Sequence, residues 1–500
     1  MDREAGILFP IFSLPSKYGI GCFSREAFEF VDFLKKSGQR YWQILPIGPT
    51  GFGDSPYQPF SAFAGNPYFI CLETLVEEGL LNWEELNSRD FGSDVEQVDY
   101  GKLYENRFSL LTLAFERFLE KGLDKEKAYK DYCKKESFWL EDYALFMAIK
   151  ADQGGKPWFE WEDGLRTREA RALDEVRKRL KKEIASYEFR QYQFDRQWKK
   201  LHTYAGEQGI RIIGDLPFYV ALDSADAWSH PTEFLMDKDL VPSVIAGCPP
   251  DAFSATGQRW GNPIYDWQAE KKRDFSWWIR RIKRNLEFYD VIRIDHFHGF
   301  AEYYAIPFDE EDARNGKMHK GPGMDFFASV KKQLGDVPMI AEDLGTVTKE
   351  NVKLLKDSGL PGMKVLQFAY TSWDSMYVTH RHERNCVVYT GTHDNTTARA
   401  WVEDLDDGSR DFVRRYINSM DTDYGRFVWD FIREAYRSVA DLCIIPLTDY
   451  LVLGREARIN TPGQPAGNWK WRLKPNFLSE ALAGSIRMLA DTYGRLPKGE

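Results

Sequence analysis

Four acidic side chains stand where apolar, strand-like runs of the sequence end: Asp215, Asp295, Glu342 and Asp394. If the four runs belong to one parallel barrel, their carboxyl ends meet at one rim, where barrel enzymes carry their active sites. Gathering four negative charges there costs Coulomb energy that packing alone does not justify. The cluster therefore predicts acid-based chemistry, although any one of these acids could instead cap a helix or pair with a cation.

Two of the acids have neighbours that favour different protonation states. Side chains alternate along a strand, so Arg293 shares a face with Asp295 and favours its ionised form. Glu342 follows Ala341 and faces other negative charges, which favours its neutral form. One ionised and one protonated carboxyl, about 5 to 5.5 Å apart, form the pair that retaining glycoside cleavage uses. The pattern suits Asp295 as a nucleophile and Glu342 as a general acid.

Histidines beside these acids raise a second possibility, a metal-dependent barrel hydrolase. His296 and His298 follow Asp295 one residue apart, and His393 adjoins Asp394. The other five histidines lie away from the predicted strand ends, and no H-E-x-x-H motif is present. Glycine-rich nucleotide motifs and an esterase elbow are also absent. We therefore expect no metal and no other cofactor.

The runs that end in acids belong to a larger set of apolar, β-rich segments separated by helical periodicity, which is typical of β/α units. Eight such segments are predicted, at 6–9, 41–45, 210–215, 291–295, 339–341, 363–368, 387–390 and 442–446. Helices are predicted at 25–37, 194–208, 275–289 and 324–334. The fold class is therefore α/β, a TIM (β/α)8 barrel with large insertions around its carboxyl-terminal face.

Two stretches are longer than a β/α connection needs: about 46–194 and about 217–272. The first begins with a loop rich in Gly, Pro and Tyr and then becomes mainly helical and charged. The second is expected to form a loop region that covers the cleft. We expect residues 1–500 to form a single catalytic barrel, with both insertions around its mouth.

Composition excludes several classes of partner. The net charge of −10 disfavours nucleic acid, because binding to phosphates depends on clustered Lys and Arg. Neither a signal peptide nor a membrane-spanning run is seen, so a cytoplasmic location is expected. The six cysteines include no C-x-x-C pair and are expected to be reduced and mostly packed. Aromatic residues make up 15% of the chain, and exposed aromatic rings suit stacking on sugars.

Seven ordered motifs spread along almost the whole chain carry a family resemblance. They are SPYQPFSAFAGNP at 55–67, GDLP at 214–217, PPDAFS with GQRWGNP at 249–263, RIDHF at 293–297, AEDLG at 341–345, GTHDN at 391–395, and NTPG with NW at 460–469. In these motifs the sequence resembles the amylomaltases, the disproportionating 4-α-glucanotransferases related to the α-amylase clan. The resemblance implies transfer of an α-1,4-glucan segment, with retention, to the 4-hydroxyl of an acceptor glucan or glucose. It also implies maltooligosaccharides and glucans derived from starch or glycogen as substrates.

The resemblance assigns roles to individual residues. Asp295 is the implied nucleophile, Glu342 the acid and base, and Asp394 the third carboxylate, which holds hydroxyls of the distorted sugar. A substrate-binding role is implied for seven more residues: Tyr57, Asp215, Trp260, Arg293, His296, His393 and Asn468. The segment from about 245 to 258 resembles the family's mobile loop over the cleft, and its Phe253 is expected to help exclude water.

Two further alternatives stay open at this stage. An amylase-like hydrolase would use the same carboxylates with water as the acceptor, so only the products distinguish it from a transferase. A glycan-binding barrel that has lost its chemistry is the non-enzymatic alternative. The presence of all three carboxylates argues against it.

Overall fold

A computed structural model describes residues 2–51, 53–250, 254–345, 347–419, 423–464 and 466–498. This part of the chain contains twelve strands, numbered in chain order: β1 Glu4–Leu8, β2 Tyr41–Gln43, β3 Arg211–Leu216, β4 Val244–Cys248, β5 Gln258–Pro263, β6 Val291–Ile294, β7 Glu302–Pro307, β8 Lys317–Lys320, β9 Met339–Ala341, β10 Gly362–Val365, β11 Cys386–Tyr389 and β12 Leu442–Pro446.

The α-helices of the same ranges are α1 Arg25–Lys36, α2 Leu72–Glu77, α3 Trp83–Asn87, α4 Tyr100–Glu120, α5 Lys127–Asp152, α6 Asp163–Arg166, α7 Ala170–Arg179, α8 Lys181–Glu207, α9 Ala225–Ser229, α10 Trp267–Lys272, α11 Ser276–Phe288, α12 Met324–Leu334, α13 Lys349–Ser358, α14 Ala398–Asp404, α15 Asp407–Ile417, α16 Tyr424–Arg437, α17 Leu447–Tyr450 and α18 Glu480–Thr492. The four helices predicted from periodicity correspond to α1, the second half of α8, α11 and α12. Helix α8 is longer than predicted because it continues from the preceding insertion into the barrel.

Eight parallel strands form the barrel, in the order β10-β11-β12-β1-β2-β3-β6-β9. Each overlaps one of the eight predicted segments, so the expected (β/α)8 fold is confirmed. The two end strands meet through a hydrogen bond from the Ala341 N–H to the Pro361 carbonyl at 2.9 Å. The Asp343 carboxylate adds a second link by accepting from the Met363 N–H at 2.7 Å.

Strand alternation divides the core into two parts. One buried cluster contains apolar residues from all eight barrel strands, among them Ile213, Val291 and Ile340. Their sequence neighbours, such as Ile212 and Ile292, pack instead with the surrounding helices. The first set therefore fills the barrel interior, because alternate side chains of a strand point to opposite faces.

A separate four-stranded antiparallel sheet, ordered β5-β4-β7-β8, was not predicted. It joins a hairpin that follows β3 to one that follows β6, and Ile245, Tyr304 and Ile306 form its small core. The segment expected to be a loop at 245–258 therefore begins in β4 and ends in β5. Phe253 lies outside the described residues.

Helices α2 to α8 lie between β2 and β3, and α9 and α10 lie between β3 and β6. None of the helices in the described ranges combines the length and apolarity that crossing a membrane requires.

Candidate active site

A cluster of charged side chains lies at the carboxyl ends of the barrel strands, next to the apolar interior. Asp215, Arg293 and Glu342 each lie two positions beyond an apolar residue that fills the barrel, and Asp295 lies two positions beyond Arg293. Because side chains alternate, all four point into the barrel mouth. Asp394 belongs to the loop that follows β11 and reaches the same mouth from that side.

Arg293 is the buried cation of the cluster. Its Nη1 donates to Oδ2 and Oδ1 of Asp215 at 2.6 and 2.8 Å, and to Oδ1 of Asp295 at 3.1 Å. The contact expected between Arg293 and Asp295 is therefore present, but Asp215 is the closer partner. Since Asp215 is itself buried, its own charge requires this ion pair.

The protonation of Asp295 differs from the sequence-based expectation. Burial raises its pKa well above the usual carboxyl range, Arg293 opposes the rise, and the charges of Asp215, Glu342 and Asp394 add to it. The guanidinium, shared with Asp215, does not outweigh burial. Asp295 therefore binds a proton more readily than an isolated aspartate.

Glu342 is held by two backbone donors. Its Oε2 accepts from the His296 N–H at 2.8 Å and its Oε1 from the Leu344 N–H at 2.9 Å. Burial nevertheless raises the pKa of Glu342, against the lowering effect of Arg293 and of these two N–H groups. The expected upward direction for Glu342 is therefore present. The charge of Glu342 in turn contributes to the raised pKa of Asp295.

A left-handed turn at His296 makes one of these bonds possible. Its φ of 48° and ψ of 48° cost a non-glycine residue about 1 kcal/mol or more. The turn directs the His296 N–H at Glu342, while the Phe297 N–H donates to the Glu342 carbonyl at 3.0 Å and the Glu342 N–H to the Ile294 carbonyl at 3.0 Å. The ends of β6 and β9 are thereby bonded to each other.

Tyr57 connects Asp215 to the histidine on the opposite wall. Its hydroxyl lies 2.8 Å from Asp215 Oδ2 and 2.8 Å from His393 Nε2. The carboxylate paired with Arg293 can only accept, so the phenol donates to Asp215 and accepts from His393. His393 therefore carries its proton on Nε2. The two rings also stack, with centroids 5.3 Å apart and planes 14° from parallel.

Both histidines of the site are neutral. Burial, with a smaller contribution from His298, lowers the pKa of His296 to about 4. Burial also lowers the pKa of His393. Neutral imidazoles can bind sugar hydroxyls without adding charge. Among the described residues, no three His, Cys, Asp or Glu side chains are grouped so as to hold a metal ion.

Asp394 is the most exposed of the four acids, with 43% of its side chain accessible. Asn460 Nδ2 donates to its Oδ1 at 2.6 Å, and Arg458 Nη2 donates to its carbonyl at 3.0 Å. His393 Nε2 lies 3.3 Å from the same Oδ1. The sequence assigned no role to Asn460 or Arg458, although Asn460 is the first residue of the NTPG motif.

Of the four acids, Asp295 and Glu342 line a cavity of about 400 Å³. Its walls include Asp295, Glu342, Tyr57, His296 and Trp260, together with Gln58, Pro217, Phe218, Tyr219 and Asn262. The volume fits a short oligosaccharide segment, since small-molecule sites usually span about 300 to 1,000 Å³. Trp260, in β5, meets His296 edge-on at 5.1 Å between centroids.

Asn468 stands apart from this group. Its Oδ1 accepts from the Thr461 N–H at 2.9 Å, and its Nδ2 donates to the Gln464 and Thr461 carbonyls at 3.0 and 3.4 Å. The amide therefore closes the 461–468 loop. The adjacent Trp469, which belongs to the NW motif but received no site role from the sequence, is the residue that reaches the site, with its ring centroid 5.8 Å from that of Tyr57.

Comparison with known proteins agrees with this geometry. The sequence pattern of a family described as 4-alpha-glucanotransferase matches residues 9–479, which is most of the chain. The chain belongs to the 4-alpha-glucanotransferase family. A 4-alpha-glucanotransferase of Clostridium butyricum is 46% identical over 488 residues, covering 97% of this chain and 99% of that protein.

Other members of the 4-alpha-glucanotransferase family are equally well covered. The protein of that name from Thermus thermophilus is 46% identical over 508 residues, covering 99% of this chain and all of its own length. The structure described as amylomaltase from Streptococcus agalactiae in complex with acarbose superposes with a TM-score of 0.95 at 40% identity, covering 99% and 100% of the two chains. The resemblance to amylomaltases inferred from the motifs is therefore confirmed, and so is the barrel.

Proposed function

We propose that this chain is a 4-α-glucanotransferase that moves an α-1,4-glucan segment from a donor to the 4-hydroxyl of an acceptor by a retaining double displacement. The observation that carries the proposal is the pairing of Asp295 and Glu342 on the wall of one cavity, inside a chain that belongs to this family. The raised pKa of Glu342, caused by burial, suits the group that donates the proton in the first step.

In the first step, Glu342 protonates the bridging oxygen while Asp295 attacks the anomeric carbon. The sugar–oxygen bond breaks, the donor's reducing-end fragment leaves with the proton, and a glycosyl ester forms on Asp295. The Arg293 contact supports the nucleophilic role because it stabilises the carboxylate form of Asp295. The N–H donors from His296 and Leu344 support the role of Glu342 by stabilising the anion that remains after proton donation.

In the second step, the Glu342 carboxylate takes the proton of an acceptor's 4-hydroxyl while that oxygen attacks the anomeric carbon, and the bond from this carbon to Asp295 breaks to restore the carboxylate. Two inversions restore the α-linkage. We assign Asp394, held by Asn460, to the hydroxyls of the sugar at the cleavage point. Asp215, Arg293, His296, His393, Tyr57 and Trp260 are assigned to the same sugar subsite or its wall, and Asn468 to the loop beside it.

Transfer requires an acceptor sugar to outcompete water. The aromatic walls supplied by Tyr57 and Trp260 support this, because apolar surfaces exclude water and stack on sugar faces. We propose maltooligosaccharides and glucans from starch or glycogen as substrates, with glucose as an acceptor. The relative from Streptococcus agalactiae whose structure contains acarbose supports an oligosaccharide in this cavity.

We also propose that residues 1–500 act as one catalytic unit, with the insertions at about 46–194 and 217–272 shaping the cleft. Tyr57 comes from the first insertion and Trp260 from the second, and both line the cavity. A cytoplasmic location without a nucleic-acid or membrane partner stays a prediction, supported by the net charge of −10.

Incubation with maltotriose tests the reaction. Transfer yields glucose together with a ladder of longer maltooligosaccharides, whereas hydrolysis yields only shorter sugars. Product separation over time should show chains longer than maltotriose before any net loss of glycosidic bonds. Glucose and maltose without longer chains would instead assign the protein to the hydrolases.

A pair of isosteric variants tests the nucleophile. Asp295→Asn should reduce turnover by at least about 10²-fold, because the amide cannot form the glycosyl ester. Asp290→Asn is the matched control, since Asp290 precedes the same strand at its opposite end and its amide oxygen can still accept from the Ile212 N–H. Near-normal turnover in Asp295→Asn, or equal losses in both variants, would remove Asp295 from the role.

A further inference from the structure

A buried carboxylate that is not on the cavity wall contacts both ends of the loop that carries Asp394. Asp449 lies in α17, directly after barrel strand β12, and is 1% exposed. Its Oδ2 accepts from the Thr390 hydroxyl at 2.6 Å, and its Oδ1 accepts from the Ala398 N–H at 2.8 Å. Thr390 follows β11 and Ala398 begins α14. One side chain therefore joins the two ends of the segment 391–397.

The 391–397 loop has little apolar packing of its own. Its sequence, Gly-Thr-His-Asp-Asn-Thr-Thr, contains no large apolar side chain. Hydrogen bonds must therefore define its shape, since segments with few buried apolar contacts open easily. Within the loop, Asn395 Oδ1 accepts from the N–H and the hydroxyl of Thr392, both at 2.9 Å. Gln367, which follows β10, donates from Nε2 to the Thr396 carbonyl at 2.9 Å. Neither contact joins the two ends of the loop.

The two site residues of this loop differ in their own support. His393 is 3% exposed, and its ring is held by the bond to the Tyr57 hydroxyl and by stacking on the Tyr57 ring. Asp394 has 43% of its side chain accessible, and Asn460 donates to its carboxylate from outside the loop. The position of the Asp394 carboxylate therefore depends more on the loop backbone than the position of the His393 ring does.

Asp449 is held by neutral donors. Burial raises the pKa of Asp449 to about 6, whereas the Ala398 N–H and the Thr390 hydroxyl lower it. Within the described ranges, no cation is among the groups that act on this carboxyl. Moving a carboxylate out of water without a cationic partner is costly. Fold stability alone therefore does not account for an acid at this position.

We propose that Asp449 is a positioning residue, which places the Asp394 carboxylate by bonding to both ends of the 391–397 loop. This role rests on the proposed function, because Asp394 is assigned there to the hydroxyls of the sugar at the cleavage point. Side chains that act on a reacting centre need their geometry held to within about 0.5 Å. A carboxyl group suits the task, since its two oxygens can accept from donors on two different elements.

Two replacements of Asp449 separate its hydrogen bonds from its charge. Asp449→Asn keeps both bonds, since the amide oxygen accepts from the Ala398 N–H and the amide nitrogen donates to the Thr390 hydroxyl oxygen. Its kcat/KM for glucose release from maltotriose should stay within about threefold of that of the unmodified protein. Asp449→Ala loses both bonds and should lower kcat/KM at least about tenfold at temperatures well below its Tm. A smaller loss in Asp449→Ala, or equal losses in the two variants, would overturn the proposal.

A double-mutant cycle separates positioning from general destabilisation. If Asp449 acts through Asp394, adding Asp449→Ala to Asp394→Ala should lower the remaining kcat/KM less than about threefold. A loss of folded protein would instead lower kcat/KM by the same factor with and without the Asp394 side chain. Glu434→Ala is the matched control, because Glu434 is also buried, at 2% exposure, and accepts from Thr379 and Arg437, outside the loop. Its factor should be the same in both backgrounds, and the same result for Asp449→Ala would refute the positioning role.

Thr390→Val repeats the cycle with a smaller change. It removes one of the two bonds and nearly keeps the side-chain shape, so kcat/KM should fall about three- to tenfold with Asp394 present and little with Asp394→Ala. Circular dichroism verifies that each variant is folded. Transfer and hydrolysis both release glucose from maltotriose, so these ratios do not depend on the acceptor. Products without longer chains would refute the proposed transfer alone, whereas equal factors in both backgrounds would refute the role of Asp449 alone.

Discussion

Replacement of Tyr57 by phenylalanine should damage catalysis while leaving the fold intact. The change removes only the hydroxyl that donates to Asp215 Oδ2 and accepts from His393 Nε2, each at 2.8 Å. The ring that stacks on His393 remains. Asp215 keeps its two contacts with Arg293, so it is not left as an unpaired buried charge.

The size of the effect follows from what is lost. A hydrogen bond to a charged group contributes about 1.5 to 3 kcal/mol. Because Arg293 still pairs with Asp215, and Asp394 Oδ1 lies 3.3 Å from His393 Nε2, we expect the lower end of that range. A loss of about 1.5 to 2 kcal/mol corresponds to roughly a 10- to 30-fold fall in kcat/KM, since about 1.36 kcal/mol is tenfold in rate.

The assay is the initial rate of glucose release from maltotriose, measured over a range of substrate concentrations. Tyr219→Phe is the matched control, because the Tyr219 ring lines the same cavity but its buried hydroxyl has no partner among the described residues. It should remain within about twofold of the unmodified protein, with an unchanged or higher Tm. A Tyr57→Phe variant that folds and keeps kcat/KM within about threefold, or equal losses in both variants, would refute the reasoning.

Three further changes test other parts of the structure. Asn460→Ala should lower kcat/KM on maltotriose about 10- to 100-fold with little change in Tm, because the hydrogen bond to Asp394 is lost. Asn460→Asp should lower kcat/KM further, because it puts a second negative charge beside Asp394. Equal kcat/KM values for the unmodified protein and both variants would contradict this. Asp343→Asn removes a charge that raises the pKa of Glu342, so the alkaline limb of the kcat/KM profile should move to lower pH. A shift of that limb to higher pH would contradict the reasoning. Burial, reinforced by Glu233, raises the pKa of Glu270 to about 9, so protonated Glu270 contributes fully to stability below the ordinary carboxyl pKa, and this contribution is lost as pH rises towards 9. The stability of Glu270→Gln relative to the unmodified protein should therefore increase by on the order of 1 kcal/mol per pH unit between pH 6 and 8.5. A Tm difference between the two proteins that does not grow with pH would reject this assignment.

The barrel could be predicted because each of its strands is recognisable from a few consecutive residues. Each of the eight is a short apolar run, and the acids where four of these runs end mark the side of the barrel where the cavity lies. The alternation that places Arg293 and Asp295 on one face is likewise a property of three consecutive residues. Such features depend on backbone geometry alone, so a single sequence suffices to see them.

The second sheet could not be predicted in the same way. Strand β4 contains Gly247 and Cys248, and β5 contains Gly261 and ends at Pro263, so neither is a continuous apolar run. Both are stabilised by pairing within the sheet, where β4 also bonds to β7 from a different part of the chain. Pairing between distant segments leaves no local pattern in either of them.

The sequence alone also could not predict which side chains pair with each other inside the site. Arg293 could be placed beside Asp295, but its closer bond to Asp215 depends on the register between β3 and β6, which sets Asp215 opposite Arg293. Burial, which the shared guanidinium does not outweigh, is why the pKa of Asp295 rises where a fall was expected. The Asn460–Asp394 bond likewise depends on a tertiary contact.

The left-handed turn at His296 has a consequence for variation among enzymes of this kind. The N–H of the peptide unit that follows Asp295 donates to the Glu342 carboxylate, and two backbone hydrogen bonds join the ends of β6 and β9. The relative placement of the two acids is therefore specified within a single stretch of backbone and its neighbouring strand. The insertions that contribute Tyr57 and Trp260, and the loop that contains Asn468, can change in length and sequence, and so alter which glucans fit, while the reacting groups keep their spacing.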